Sequence, residues 1–196
     1  RLTGMSYERP CVFEKGRLSL LSAEVIGGAG WILNGTDVNM LGANLTWQSG
    51  EWRISNSEVS LVHLSGQYGD GMRLVNATGT VTSSTWTNGS SGLSLDRCEG
   101  MRLQDLALLG NGMDLGIFGS TASHFTHGVE NVSLTYGPLM ILEGLAGVTI
   151  EDFRGSLYLI GCQDVVVRNS LLGRAGSGIA LVGCSNVEML GNAMEN

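Results

Sequence analysis

Short apolar doublets, in which two apolar residues flank a residue of any type, recur along the whole chain. Their first members are Cys11, Trp31, Trp52, Met72, Leu93, Leu115, Leu139, Leu157 and Ile179. The flanked position holds residues as different as Arg53, Gly116 and Tyr158. Alternation with a period of two is typical of a strand with one buried face. The pattern therefore predicts nine such strands, whose starts lie 18–24 residues apart.

A second apolar doublet follows within most repeats, as at Leu18/Leu20, Val38/Met40 and Val165/Val167. Glycine and polar residues lie between the doublets and indicate turns. Repeats this short cannot bury an apolar face alone, so they must stack on one another. We expect an all-β fold, a right-handed single-stranded parallel β-helix (a solenoid) of about nine coils of roughly 18–24 residues. We expect one domain over residues 1–196, as part of a longer chain or as an assembling subunit.

The clearest repeat lies in residues 157–194, where two successive coils read LYLIGCQDVVVRN and IALVGCSNVEMLGN. This pattern resembles the generic repeat of the pectin-lyase-like superfamily. The resemblance covers nearly the whole chain and implies a right-handed β-helix. It implies no single activity, because the superfamily contains lyases, hydrolases, epimerases, phage tailspikes and adhesins.

Composition and charge exclude several classes of partner. The formal net charge is −7, and Lys15 is the only lysine. Nucleic acids and anionic membranes are bound by basic patches, so we expect neither partner. No stretch approaches the roughly 20 apolar residues of a membrane span, so we expect no membrane insertion. The 30 glycines and 2 prolines suit many short strands joined by tight turns.

Five asparagines lie in N-x-S/T sequons, the acceptor sites of N-glycosylation. They are Asn34, Asn44, Asn76, Asn88 and Asn131. One interpretation is a secreted, glycosylated protein, which predicts an extracellular or cell-surface location. The other is that a turn-rich β protein concentrates Asn, Ser and Thr for structural reasons.

Three cysteines share one position in their coils, because Cys98, Cys162 and Cys184 each lie five residues after a doublet start. The simplest interpretation is an apolar ladder inside the solenoid, with cysteine as a small hydrophobic residue. Cys162 and Cys184 lie on adjacent coils, within disulfide range, although parallel stacked side chains would strain the bridge. No Cys/His cluster with zinc-binding spacing occurs, and no cofactor is predicted.

The coil that starts at Leu115 departs from the repeat, because a long polar segment follows its first doublet. This segment contains His124, His127 and Glu130. These residues could bind a metal ion or form an acid/base pair. Alternatively, the segment is an inserted surface loop that the Asn131 sequon keeps exposed. Function often lies where a loop departs from a rigid scaffold.

A second candidate cluster is formed by Glu151, Asp152 and Arg154, with Tyr158 nearby. Paired carboxylates could bind Ca²⁺ or perform acid/base chemistry, as the superfamily resemblance implies for its enzymes. The alternative is a polar ladder of turn residues with surface ion pairs, since Asp105, Asp152 and Asn169 share one position in their coils. Trp47, Trp86 and Tyr158 are the candidate platforms for a sugar ring.

Two functions follow from these patterns. The first is a secreted or surface-exposed structural or interaction solenoid without catalytic activity and without predicted catalytic residues. Its partners would be other copies, bound end to end, or other surface proteins. The alternative is a polysaccharide-active enzyme of lyase or hydrolase type, or a carbohydrate-binding β-helix with glycans as partners.

Overall fold

Parallel strands from successive coils stack over most of the molecule and form a β-solenoid of about eight turns, close to the nine predicted. The computed structural model describes residues 11–26, 28–46, 49–173 and 178–194. One short 3₁₀ helix, Ala122–His124, interrupts the described strands. The described part of the chain has no helix of the length and apolarity that a membrane span requires.

The strands fall into two groups, separated by the turn before Gly137. Residues 11–134 form the first stack, with strands β1 (Cys11–Leu21), β2 (Glu24–Ile26), β3 (Trp31–Leu41), β4 (Asn44–Thr46), β5 (Trp52–Ser55), β6 (Glu58–Val62), β7 (Ser65–Gln67), β8 (Met72–Val75), β9 (Thr78–Thr87), β10 (Ser91–Asp96), β11 (Arg102–Leu109), β12 (Met113–Phe118) and β13 (Gly128–Leu134). The described residues from 137 onward form the second stack, with strands β14 (Gly137–Glu143), β15 (Thr149–Glu151), β16 (Arg154–Ile160), β17 (Gln163–Arg168), β18 (Leu171–Leu172), β19 (Ile179–Val182), β20 (Ser185–Leu190) and β21 (Ala193–Met194).

The first stack has the predicted register. Cys11 pairs with Trp31, Trp52 with Met72, and Leu93 with both Met72 and Leu115. The first and third residues of each doublet point inward. Successive side chains of a strand point to opposite faces, and stacked coils expose only one of these faces to solvent. The indole rings of Trp31 and Trp52 stack inside, with centroids 4.8 Å apart and planes 6° apart. Alternation therefore identified the core of this stack correctly.

Most coils turn a corner four residues after the doublet start, through a left-handed backbone conformation. Asn56, Asn76 and Arg97 have φ values of 52°, 48° and 53° at this corner. Glycine takes the same position in the second stack, with φ of 58° at Gly161 and 61° at Gly183. Glycine and asparagine adopt this conformation at least cost, which explains why they mark the turns.

The parallel ladder is interrupted once in the described chain, between the two stacks. Strands β13 and β14 pair antiparallel through Ser133 with Pro138 and Leu134 with Gly137. The backbone N–H of Thr135, in the turn, donates to Oδ2 of buried Asp114 at 2.7 Å. The reversal therefore divides the predicted solenoid into two stacks.

The reversal also shifts the predicted register of the next coil by one residue. Met140, not Leu139, pairs with Leu157. Consequently Met140 and Leu142 pack against the core of the second stack, and Leu139 belongs to the core of the first. The run of apolar residues in β14 satisfies either register, so alternation could not separate them.

Strand β16 contributes to both cores. On one face, Leu157 and Leu159 are buried in the small core of the second stack. On the opposite face, Tyr158 is buried in the large core of the first stack. The second stack therefore packs the outer face of its own sheet against the first stack, and that face is apolar.

The last coil keeps its inward side chains partly exposed. Leu181, Met189 and Met194 are 48%, 40% and 60% exposed. Their partners in the preceding coil, Leu159, Val167 and Leu172, are at most 1% exposed. Within the described chain, β19, β20 and β21 pair on one side only.

Candidate functional site on the outer face of the first stack

A depression of about 620 Å³ crosses the first stack on the outer face of the strands that begin the coils. Two smaller depressions, of about 230 and 240 Å³, adjoin it on the same face. Arg53 lines the first two, and Glu51 lines the second and the third. Together the three form what we call the outer trough. It is a candidate binding surface on the described residues.

A ladder of asparagine amides forms one wall of the outer trough. Nδ2 of Asn56 donates to Oδ1 of Asn34 at 2.9 Å, and Nδ2 of Asn76 donates to Oδ1 of Asn56 at 2.8 Å. Asn56 and Asn76 occupy the corners of adjacent coils, and Asn34 lies one residue before the corner at Gly35, so strand spacing brings the three amides together. Each amide has two N–H donors and two lone pairs. The ladder therefore leaves hydrogen-bonding capacity free for a ligand.

Arg53 is the one trough cation without a carboxylate within ion-pair distance among the described residues. Nη2 of Arg73 lies 2.7 Å from Oδ2 of Asp96, and Nε of Arg97 lies 3.2 Å from Oδ1 of Asp96. Burial alone would raise the pKa of Asp96, but the hydrogen bonds and charges of the two arginines outweigh burial and lower it. Asp96 is therefore a fixed anion, and Arg53 carries the uncompensated positive charge.

Two buried polar atoms of the outer trough, Oε2 of Glu51 and Nε of Arg73, have no hydrogen-bond partner among the described residues. Both side chains line the 240 Å³ depression, beside Asp70. The Asp70 carboxylate is satisfied, because it accepts from the N–H of Gly50 at 2.9 Å and from Oγ of Ser90 at 2.8 Å. Both atoms are closed to solvent, so a ligand in the depression would not contact them in this arrangement.

His124, one of the predicted candidates, lines the end of the outer trough. Its Nδ1 accepts from the backbone N–H groups of Ser120 at 3.1 Å and Thr121 at 3.4 Å. Its Nε2 lies 3.7 Å from Oε1 of Glu99. These contacts hold the ring at the end of the 3₁₀ helix, so His124 is part of the loop's own structure.

The structure does not bring His124, His127 and Glu130 together as a metal or acid/base site. His127 is only 5% exposed, and neither ring nitrogen has a hydrogen-bond partner among the residues that the structure describes. Burial, with the nearby charge of His124, lowers the pKa of His127 to about 4. Glu130 instead faces Arg102 at 3.6 Å on the outer surface. No group of three His, Cys, Asp or Glu side chains within the described ranges is placed to hold a metal ion.

The second predicted cluster is also dispersed. Glu151 pairs with Arg168 at 2.7 Å rather than with Arg154. Asp152 occupies a left-handed corner with φ of 55°, as expected for a ladder of turn residues. Tyr158 is only 2% exposed and cannot be a platform for a sugar ring, because the first stack covers it.

The other two candidate platforms are Trp86 and Trp47. Trp86 is buried in the core of the first stack. Trp47 lies outside the described residues. The aromatic side chains singled out from the sequence therefore do not form a carbohydrate site in the described chain.

All four cysteines are thiols in the structure. Cys98 and Cys162 are buried, and burial raises the pKa of the Cys98 thiol. The Sγ of Cys184 donates to the carbonyl of Leu159 at 3.1 Å and accepts from the N–H of Cys162 at 3.4 Å. The inward cysteine ladder is confirmed, and the bridge considered between Cys162 and Cys184 is not formed.

All five sequon asparagines are exposed: Asn34, Asn44, Asn76, Asn88 and Asn131. Three of them lie at corners, where φ is 48°, 58° and 51° for Asn76, Asn88 and Asn131. Asn131 also donates through Nδ2 to Oδ1 of Asp105 at 2.8 Å. The backbone therefore gives a structural reason for asparagine at these positions, and glycosylation stays a prediction.

The sequence interpretation did not identify the outer trough. The spacing of Asn34, Asn56 and Asn76, by 22 and 20 residues, matches the coil period and could have revealed the ladder. The unpartnered atoms of Glu51 and Arg73 had no such signal, because they depend on packing in three dimensions.

The chain matches no protein-family model, and no curated protein is significantly similar to it.

Proposed function

We propose that the protein is a secreted or surface-exposed structural and interaction solenoid without catalytic activity, which assembles with other copies through the face of its last coil. The observation that carries this proposal is the exposure of Leu181, Met189 and Met194. Each occupies an inward position, where the preceding coil is closed. A further layer of strands on this face would bury these side chains and satisfy the strand edges.

The first coil offers a matching face. Within the described chain β1 pairs with β3 alone, and Phe13 is exposed whereas its register partner Leu33 is fully buried. An end-to-end contact between the last coil of one copy and the first coil of another would continue the parallel ladder. The contacts that already occupy His124, Glu130 and Glu151 support a non-catalytic role.

Sedimentation velocity over a range of concentrations tests this assembly. We expect self-association of the unaltered chain, weakened by at least about tenfold in Leu181→Asp because the substitution places a charge in the contact. Leu109→Asp is the matched control, since Leu109 is also exposed but lies on the side of the first stack. A monodisperse monomer at every concentration would refute the assembly, as would equal effects of the two substitutions in variants with unchanged circular dichroism.

A second candidate function is carbohydrate binding in the outer trough, which the resemblance to the pectin-lyase-like superfamily also favours. The specific observation is the asparagine ladder beside Arg53, an elongated polar surface across several coils. Neutral and uronate oligosaccharides, tested with and without Ca²⁺, would measure binding and turnover. We expect Arg53→Ala to weaken binding, and the exposed Arg17→Ala, outside the trough, to leave it unchanged. No binding and no turnover with any glycan would remove this candidate.

A further inference from the structure

The methionines of the described chain differ sharply in their exposure to solvent. Three of them are at most 1% exposed, namely Met40, Met72 and Met101. Met189 and Met194, in the last described coil, are 40% and 60% exposed. A dissolved oxidant reaches an exposed side chain directly, whereas a buried one reacts only when the fold opens around it. Of these five methionines, the last two are therefore the most accessible to oxidation.

Both exposed methionines belong to the proposed assembly face of the last coil. Met189 pairs with Val167, which is fully buried in the preceding coil. Met194 pairs with Leu172, which is 1% exposed. A methyl group placed on Gly178 would lie 2.9 Å from Cε of Met194, so this side chain reaches back to the start of its own coil. The two thioethers thus occupy inward, apolar positions that only a further layer of strands would cover.

Oxidation of these thioethers would change the chemistry of the face. Hydrogen peroxide transfers one oxygen atom to the methionine sulfur, and a sulfur–oxygen bond forms while the oxygen–oxygen bond breaks and water leaves. The sulfur is oxidised and the peroxide is reduced. The product, a sulfoxide, is polar and accepts hydrogen bonds without donating any. A sulfoxide buried against aliphatic side chains would lack a hydrogen-bond donor, and this costs free energy.

We propose that Met189 and Met194 form an oxidative modification site, at which hydrogen peroxide prevents end-to-end assembly of the chain. This inference rests on the proposed function, assembly through the face of the last coil, and adds the regulation of that face. Assembly buries both side chains, so copies whose last coil is uncovered are the ones oxidised. A methionine sulfoxide reductase, with a dithiol as reductant, removes the oxygen as water and restores the apolar face.

Peroxide treatment of the whole chain in dilute solution, followed by peptide mass spectrometry and sedimentation velocity, tests the inference. We expect Met189 and Met194 each to gain one oxygen atom, about tenfold or more faster than the three buried methionines. Self-association should then weaken by about tenfold or more, with unchanged circular dichroism. Reduction with dithiothreitol and reductases for both sulfoxide epimers should restore it, which reads the same site without any substitution.

Two variants assign the effect to these side chains. The double variant Met189→Leu and Met194→Leu retains apolar side chains of similar volume, so it should assemble both before and after peroxide treatment. Met113→Leu is the matched control, since Met113 is half-buried in the first stack. Assembly of this control should remain as sensitive to peroxide as that of the unaltered chain. Both variants retain the thiol of Cys184, so they separate methionine oxidation from thiol oxidation.

The outcomes separate the inference from the proposed function. Loss of assembly in the unaltered chain and in Met113→Leu, but not in the double variant, supports the inference. A chain that does not self-associate before treatment overturns the proposed assembly and the inference together. Assembly that survives full oxidation of both methionines overturns the inference alone. A loss that persists in the double variant, or that accompanies a loss of β-sheet circular dichroism, also overturns it, because another group or general unfolding would then be the cause.

Discussion

Inward side chains of the first stack, such as Leu33, Ile54 and Leu74, lose all solvent exposure and belong to a large core, whereas the core of the second stack contains only six buried side chains among the described residues. The sequence repeats look alike in both stacks. The difference lies in the neighbours, because a coil between two others is closed on both sides and the last coil on one side only. Burial in a solenoid is a nearest-neighbour property.

The second stack has a small core, but it also packs the outer face of its first sheet against the first stack. Tyr158 and Leu139 join the large core, so β14 and β16 are apolar on both faces. The antiparallel reversal between β13 and β14 makes this packing feasible, because it ends the parallel ladder of the first stack there. The first stack is therefore covered at this point by a folded sheet, whereas the last coil of the described chain pairs on one side only.

Among the substitutions that test this comparison, one in the closed interior of the first stack should cause the largest loss of stability. Trp52→Ala should lower the free energy of unfolding by about 3–5 kcal/mol, because it leaves a cavity between coils that cannot collapse. Met189→Ala, at an inward but 40% exposed position of the last described coil, should cost less than about 1 kcal/mol in dilute solution. Urea denaturation of both variants provides the measurement. Equal losses would show that the two stacks are closed to the same degree.

Lowering the pH should destabilise the end of the first stack through His127. Its pKa is near 6.5 when unfolded and about 4 in the folded chain, so the unfolded state binds more protons in that interval. Stability contributed by the neutral ring is therefore complete above pH 6.5 and falls as the pH decreases toward 4, by about 3 kcal/mol in total.

Urea denaturation at several pH values would measure this slope. His127→Leu should flatten it, whereas His63→Gln, at an exposed histidine on a corner of the first stack, should not. An unchanged slope in His127→Leu would contradict burial of a neutral imidazole.

A smaller effect is expected where the chain reverses. Asp114 is buried and accepts from the N–H and Nδ2 of Asn111, both at 3.1 Å, and from the N–H of Thr135. Asp114→Asn should cost about 1–3 kcal/mol, because one accepting oxygen becomes a donor that faces another donor. Hydrogen exchange at the Thr135 amide should accelerate. Asp37→Asn, on an exposed outer position of β3, serves as the control and should change stability by less than about 0.5 kcal/mol.

Much of the fold could be predicted from the sequence because period-2 alternation is local. The inward positions of Leu33, Ile54 and Leu74 follow from it directly. The one-residue shift at Met140 could not be predicted, because Leu139 and Met140 are both apolar and a hydrogen bond to distant Asp114 fixes the turn before them.

The candidate site was harder to predict than the fold. Tyr158 was correctly placed on the outer face of its strand, but a neighbouring stack covers that face. The members of the asparagine ladder are spaced by about one coil, so the ladder could have been predicted from the sequence. The unpartnered groups of Glu51 and Arg73 emerge only when adjacent coils are packed together.

Hydrogen exchange followed by mass spectrometry at increasing protein concentration tests the central claim most directly, namely that the open face of the last coil is an assembly surface. The account predicts that β19, β20 and β21 exchange rapidly in dilute solution and become protected as concentration rises. Strands β5 and β8, closed on both sides, should be protected at every concentration. Exchange in the last coil that is slow in dilute solution, or independent of concentration, would contradict the claim.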